Sequence, residues 1–321
     1  MKTTKNYFLL IAVMLCASFG AIAQITCGQS ITTNTVLSGD ITCTTSLTIN
    51  ADNITLDGAG YTIYMSNGAH AINMYNKTGV TIKNLNIVYT GSAGTAMNFS
   101  SITNSLIENN DVSNATYGIR FGGTNTSNTI HNNNMSDCSS NALYFYGNSQ
   151  LNTITDNDMT NSDGWAIHYR YGIPAAIKGN DFTGSKYGVY LHSAHGFNLT
   201  SPTSISPPSN ANTNTWGGHT GVVFQYKSSD NVTVEDWNFA PLFDSSTNIG
   251  SVNFTALNLS DMTNSTFQNN DFSGGFYNAM RFNGTNTSNT IHNNIMSDCN
   301  STALYFYGNS QLNTITDNDM T

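Results

Sequence analysis

The chain repeats itself. Lines that begin at Ala71, Ala96, Gly118, Ala142, Ala166 and Gly188, and again at Ala256, Ala279 and Ala303, share one pattern and mostly lie 22–25 residues apart. A fixed period in this range constrains the fold more than any other feature, because it demands one small unit stacked on copies of itself. Each line holds two stretches of period two. In the first, the second and fourth positions are apolar: Ile72/Met74, Met97/Phe99, Ile119/Phe121, Leu143/Phe145, Ile167/Tyr169 and Val189/Leu191. The second centres on Ile82, Ile107, Ile130, Ile154 or Ile177, and a further apolar residue follows it at Ile87, Val112, Met135, Met159 or Phe182. Beyond the first two dozen residues no stretch has helical spacing.

A larger duplication overlies this period. Gly123–Thr160 and Gly284–Thr321 lie 161 positions apart and differ only at Asn134/Ile295, Ser139/Asn300 and Asn141/Thr302. A solenoid tolerates such an insertion, since each coil touches only its neighbours. Three residues after the central apolar position stands Asn110, Asn133, Asn157 or Asn180, and later Asn270, Asn294 or Asn318. Asparagine accepts a left-handed backbone and bonds to it. Stacked about 4.8 Å apart, these side chains are expected to form an internal ladder. The pattern predicts an all-β parallel β-helix of about ten coils over 47–321, with the duplication at about 96–160 and 256–321. The second copy stops at "TDNDMT", where the first continues into "NSDGWAIHYRY", so the C-terminus is expected to be incomplete.

The opening "MKTTKNYFLLIAVMLCASFGAIAQ" places two lysines before an apolar run and a small-residue site before Gln24. That order reads as a signal peptide over 1–23, too short for a membrane span, and no later segment could cross one. The chain is expected to be secreted, extracellular or displayed at the cell surface. Its formal net charge is −9, which argues against nucleic acid as a partner. Cys27 and Cys43 lie early in an exported chain and read as a disulfide. Cys138 and Cys299 hold the same place in the two copies and read as free core residues.

"CGQSITTNTVLSGDITC" followed by "LTINADNITLDGAGYTI" resembles the entry to right-handed β-helix proteins of the pectate-lyase-like, NosD-type superfamily. The resemblance covers essentially the whole mature chain. It implies a right-handed helix preceded by an N-terminal cap at 24–46, with Cys27–Cys43 as its staple. That superfamily holds lyases, hydrolases, epimerases, adhesins and proteins without known activity, so it implies little about function.

Two intervals break the period: the excess "NLTSPTSISPPSNANTNTWGGHT", which contains Trp216, and "APLFDSSTNIGSVNFT". The first reads either as a tolerated insertion or as a loop whose Trp216 ring stacks on a ligand. On the outward columns of the first strand, Arg120, Tyr144, Tyr146, His168, Arg170, Tyr190 and His192 cluster. Matching a further line that begins at Gly221 to the one at Gly188 extends the same two columns through Val223 and Gln225. Such a face suits a glycan, with rings on sugars and arginine on a carboxylate; outward Tyr and His also fill cross-strand space. Glycoside hydrolysis needs a facing carboxylate pair, and these columns have none. β-Elimination asks for a base and a cation to neutralise a uronate, roles that His168, His192, Tyr190 and Arg170 would fill. Asp156, Asp158 and Asp181 read either as solvated turn residues or as oxygen ligands for a Ca²⁺ cofactor. The first expectation is a polysaccharide-binding monomer. The alternatives are a polysaccharide lyase acting on uronic-acid glycans and a structural adhesin or spacer without a small ligand.

Overall fold

The computed structural model describes residues 25–197, 199–200, 221–236, 239 and 255–321. Among these the secondary structure is all β, and every strand pairing is parallel. Successive coils lay a strand onto each of three sheets. The first sheet runs without a break from Ser30–Ile31 through Leu47–Ile49, Ile72–Tyr75, Thr95–Ser100 and Tyr117–Gly122 to Thr302–Gln311. The second consists of seven strands, from Thr35–Val36 to Ala176–Lys178, and then five more, from Leu199–Thr200 to Thr314–Thr316. The third starts with Ile41–Cys43, Thr62–Met65 and Asn86–Tyr89. It continues as single bridges through Asp111, Asn134, Asp158 and Asp181. Parallel crossovers in one sheet are right-handed almost without exception.

Alternation within each strand puts the predicted apolar residues inside. Phe99, Phe121, Phe145 and Tyr169 pack ring against ring along the axis, edge-on at the first contact, with centroids 5.4, 4.4 and 4.5 Å apart. Ile82, Ile107, Ile130 and Ile154 are fully buried below the second sheet, and Met135, Met159 and Phe182 fill the third corner. Parallel strands pair residue on equivalent residue, so one position of the repeat becomes one continuous column of the core.

The asparagine ladder forms as expected. Asn110 donates to Asn133 Oδ1 (2.9 Å), Asn133 to Asn157 Oδ1 (3.0 Å) and Asn157 to Asn180 Oδ1 (2.9 Å). Asn270, Asn294 and Asn318 repeat it. The left-handed backbone lies one residue earlier than expected, at Asn109, Asn132 and Asp156, with φ of 55°, 51° and 57°. The turn residue and the ladder residue are thus separate jobs on adjacent positions. A second ladder, through Asn128 and Asn152 and again Asn289 and Asn313, closes the turn between the first two sheets.

The entry differs from expectation in one respect. The segment anticipated as a cap already contributes one strand to each sheet: Ser30–Ile31 pairs with Leu47–Ile49, Thr35–Val36 with Thr55–Asp57, and Ile41–Cys43 with Thr62–Met65. The first coil therefore begins at Ser30, ahead of Leu47. Cys27 and Cys43 are disulfide-bonded, with Cα atoms 5.2 Å apart, which ties this coil shut on itself. Cys138 is free and buried; Cys299 is free but only half-buried.

Candidate functional site

The outer face of the first sheet, between Tyr117 and Lys227, collects aromatic and basic side chains. Register places Arg120 beside Tyr144, Tyr144 beside His168, and His168 beside Tyr190. The next residue in that row is Gln225, and His192 is followed by Lys227. The expected continuation through Val223 is therefore wrong by two positions. Val223 is wholly buried, because the coil after the long interval resumes with Phe224 opposite Val189. The correction adds a cation, Lys227, to the face.

The rings do not stand apart with open faces. Tyr144 lies 4.7 Å from His168, and His168 lies 4.6 Å from Tyr190, centroid to centroid. Tyr117 stacks on Tyr144 at 5.8 Å. Three of the rings come from a position the sequence reading passed over: Tyr117, Trp165 and Tyr187 precede the alternating stretch, yet the strands extend back to include them. Trp165 packs on Tyr187 at 4.8 Å and on Tyr190 at 5.3 Å. Offset stacking at the strand spacing consumes ring faces, so the middle of the column offers ring edges and polar atoms to a ligand. The open polar and aromatic surface is carried by Arg170, which is exposed, and by Tyr171, which is 38% exposed.

Cations fit between these rings. The Arg120 guanidinium lies 4.2 Å from the Tyr146 centroid, and that of Arg170 lies 5.3 Å from Tyr171. Among the described residues neither arginine forms an ion pair; the lysine–carboxylate pair there is Lys83–Asp57, on the second sheet. Burial in the stack, reinforced by Arg170 and then His192, pushes the His168 imidazole down to about 4. Burial also lowers His192, with Lys227 and Arg170 adding to it. Tyr190 is raised by burial, against the pull of Arg170. At neutral pH the row therefore presents a neutral imidazole and a protonated phenol beside fixed positive charge.

The expected aspartates part company. Asp158 and Asp181 are neighbours on the third sheet, and each closes its own turn by accepting the N–H of Thr160 or Thr183. Asp156 instead faces His131, with Oδ2 3.3 Å from Nδ1. Among the described residues no group of three His, Cys, Asp or Glu is placed to hold a metal ion. Trp216 lies outside the described residues, as does most of the long interval. No helix among the described residues is long and apolar enough to cross a membrane.

Two family models match: "Periplasmic copper-binding protein (NosD)" over residues 20–221 and "Right handed beta helix region" over residues 167–321. No curated protein matches the sequence. Among solved structures, a mannuronan C-5 epimerase A-module from Azotobacter vinelandii is similar at 9% identity and a TM-score of 0.52, over 90% of this chain and 91% of that one. A mutant of a periplasmic alginate epimerase is similar at 10% identity and 0.57, over 89% and 76%. An α-1,3-glucanase catalytic unit from Streptomyces thermodiastaticus is similar at 13% and 0.52, over 88% and 64%. At these identities the likeness is one of fold. The family description names copper, but the donors among the described residues do not fit it: Met74, Met97, Met135, Met159 and Cys138 are fully buried in the core, and no three His, Cys, Asp or Glu side chains come together.

Proposed function

The chain belongs to the NosD family of right-handed β-helices, and we propose that it is an exported protein that binds an acidic polysaccharide along the outer face of its first sheet. One observation carries this reading. On a chain of net charge −9, Arg120, Arg170, His192 and Lys227 converge on a single aromatic face, and its arginines pair with no carboxylate among the described residues. A linear polyanion lying along the rungs would meet guanidinium groups preoriented by ring contacts, together with the polar edges of Tyr144 and Tyr190. Similarity of fold to proteins named as a mannuronan C-5 epimerase, an alginate epimerase and an α-1,3-glucanase agrees with a saccharide ligand.

The test is calorimetric titration with oligogalacturonate, oligomannuronate and a neutral glucan. Arg170→Ala is expected to weaken acidic ligands at least tenfold and to flatten their salt dependence, leaving a neutral glycan unaffected. Equal affinity of wild type and variant for the acidic ligands would exclude the site. Binding of none of the three would leave a structural or adhesive role.

A second reading, a lyase, is favoured by the state of His168. A base that is neutral at pH 7 beside a cation is what β-elimination needs. His168 would take the proton α to the uronate carboxylate while Arg170 stabilises the charge spreading onto that carboxylate. The C–O bond to the leaving sugar would break as the double bond forms, and Tyr190 would protonate the departing oxygen. Absorbance of the unsaturated product, lost in His168→Gln, would establish it. Binding without product would leave the first reading alone.

A further inference from the structure

The duplication contains its own control experiment. In the second copy, Arg281 donates from Nε to Asn283 Oδ1 (3.0 Å), and Asn283 in turn donates from Nδ2 to Asn258 Oδ1 (2.7 Å). One asparagine amide thus satisfies a donor and an acceptor that lie on adjacent rungs. Register in the first copy puts Asn98 beside Arg120 and Ser100 beside Gly122, just as Asn258 lies beside Arg281 and Ser260 beside Asn283. The bridging amide is missing at Gly122. Its two partners are the atoms left over: Arg120 Nε and Asn98 Oδ1 are both buried without a hydrogen-bond partner, and Asn98 is only 7% exposed. Leaving such atoms unpaired is costly. What fills the vacated place is the end of the Tyr146 side chain, which a Cβ at position 122 would strike at its ring and hydroxyl. Tyr146 lends its ring face to the Arg120 guanidinium, but it satisfies neither orphan atom.

We propose that Gly122 creates a two-point subsite, Arg120 Nε and Asn98 Oδ1 beside a movable Tyr146, which takes the carboxylate and adjoining hydroxyl of a uronic acid residue. The chemistry follows from what the amide does in the duplicate. The ligand must bring an acceptor to a guanidinium and a donor to an amide oxygen at the spacing of one small planar group. A carboxylate meets the first need best, because Arg120 has no counter-charge among the described residues. His70, next to Arg120 and with its Nδ1 also buried and unpartnered, is held away from protonation by burial and by that arginine. The swing of one tyrosine ring about its side-chain bonds opens the seat without moving the sheet. By the same argument Arg281 is silent, because Asn283 already occupies its Nε. This subsite rests on the reading of the face as polysaccharide-binding and adds to it a rung that Arg170 does not touch.

Titration calorimetry with trigalacturonate, maltotriose and chitotriose on the wild type, Gly122→Asn, Gly122→Ala and Tyr146→Ala tests it. Gly122→Asn is expected to weaken trigalacturonate at least tenfold and Gly122→Ala by less, while Tyr146→Ala keeps or improves the affinity. The backbone at Gly122 is not left-handed, and asparagine already occupies the duplicate position, so the variant should fold. Its melting temperature should exceed that of Gly122→Ala, since only the amide satisfies both orphan atoms. Unchanged trigalacturonate binding in Gly122→Asn, with Arg170→Ala still impaired, would overturn the subsite and spare the wider reading. Failure of the wild type to bind trigalacturonate would overturn both. Tighter binding of chitotriose would overturn the assignment to a carboxylate, and a lower melting temperature for Gly122→Asn than for Gly122→Ala would overturn the pairing.

Discussion

Replacing Asn133 by alanine removes one rung of the internal ladder, and the loss can be worked from the contacts. Its Oδ1 accepts from the Asn110 backbone N–H (3.1 Å) and from Asn110 Nδ2 (2.9 Å). Its Nδ2 donates to Ile107 O (2.9 Å), His131 O (3.0 Å) and Asn157 Oδ1 (3.0 Å). Two amide hydrogens serve three acceptors, so one contact is shared and about four full bonds disappear. At about 1 kcal/mol each, the cost is about 4 kcal/mol, concentrated on the Asn110 N–H, which has no other partner in the ladder. Asn132→Gly, one residue earlier, is the control: that residue is exposed and left-handed, with φ 51°, and glycine keeps the turn. Urea unfolding followed by circular dichroism, with amide exchange read at Asn110, measures both. Asn133→Asp should behave differently again, because a carboxylate would face the carbonyl oxygens of Ile107 and His131. Its folded-state pKa would be raised, so its stability should fall as the pH rises through that value. If Asn133→Ala costs under about 1 kcal/mol, or no more than the glycine control, the ladder is ornament and the core columns alone hold the coils.

Three further outcomes are expected. His168 has a folded pKa of about 4 against an ordinary value of 6.5, so the unfolded chain binds more protons between these values and stability must fall as the pH drops from about 6.5 to about 4. The loss is at most about 3 kcal/mol, and His168→Gln should abolish it in pH-dependent urea melts. Leu151 holds a left-handed φ of 55° while 57% exposed; asparagine, which occupies the equivalent turn at Asn104, should stabilise by about 0.5–1 kcal/mol in the same assay. Replacing Cys27 and Cys43 together by serine opens a loop with a sequence separation of 16 and should cost about 3 kcal/mol, with early protease cleavage near the N-terminus as a second readout.

Much of the fold was legible because a parallel solenoid writes its contacts into its period. Ile107 lies over Ile130 in space for the same reason that it matches Ile130 in the alignment. The asparagine ladder was visible on register alone. Where the period was interrupted, legibility failed. Matching Gly221 to Gly188 assigned Val223 to the surface, whereas burial of Phe224 and Tyr226 sets the true register, two residues away. Trp165 and Tyr187 escaped notice because alternation marks where a strand is certain to run and says nothing of how far back it extends. The orphaned pair beside Gly122 could not be seen at all, since Gly122 and Asn283 differ by one letter whose meaning lies in its partners.

What the sequence determined by itself was the inside. Apolar side chains at period two, repeated coil after coil, admit a single way of burying themselves, and hydrophobic burial is indifferent to fine geometry. What only the tertiary structure decided was the outside. There the rings of Tyr144, His168 and Tyr190 spend their faces on one another, Arg120 is left unpaired while Arg281 is satisfied, and His168 is stripped of its proton. These outcomes depend on ångström-scale distances and directional bonds between residues some two dozen positions apart, which become neighbours only when the coils stack.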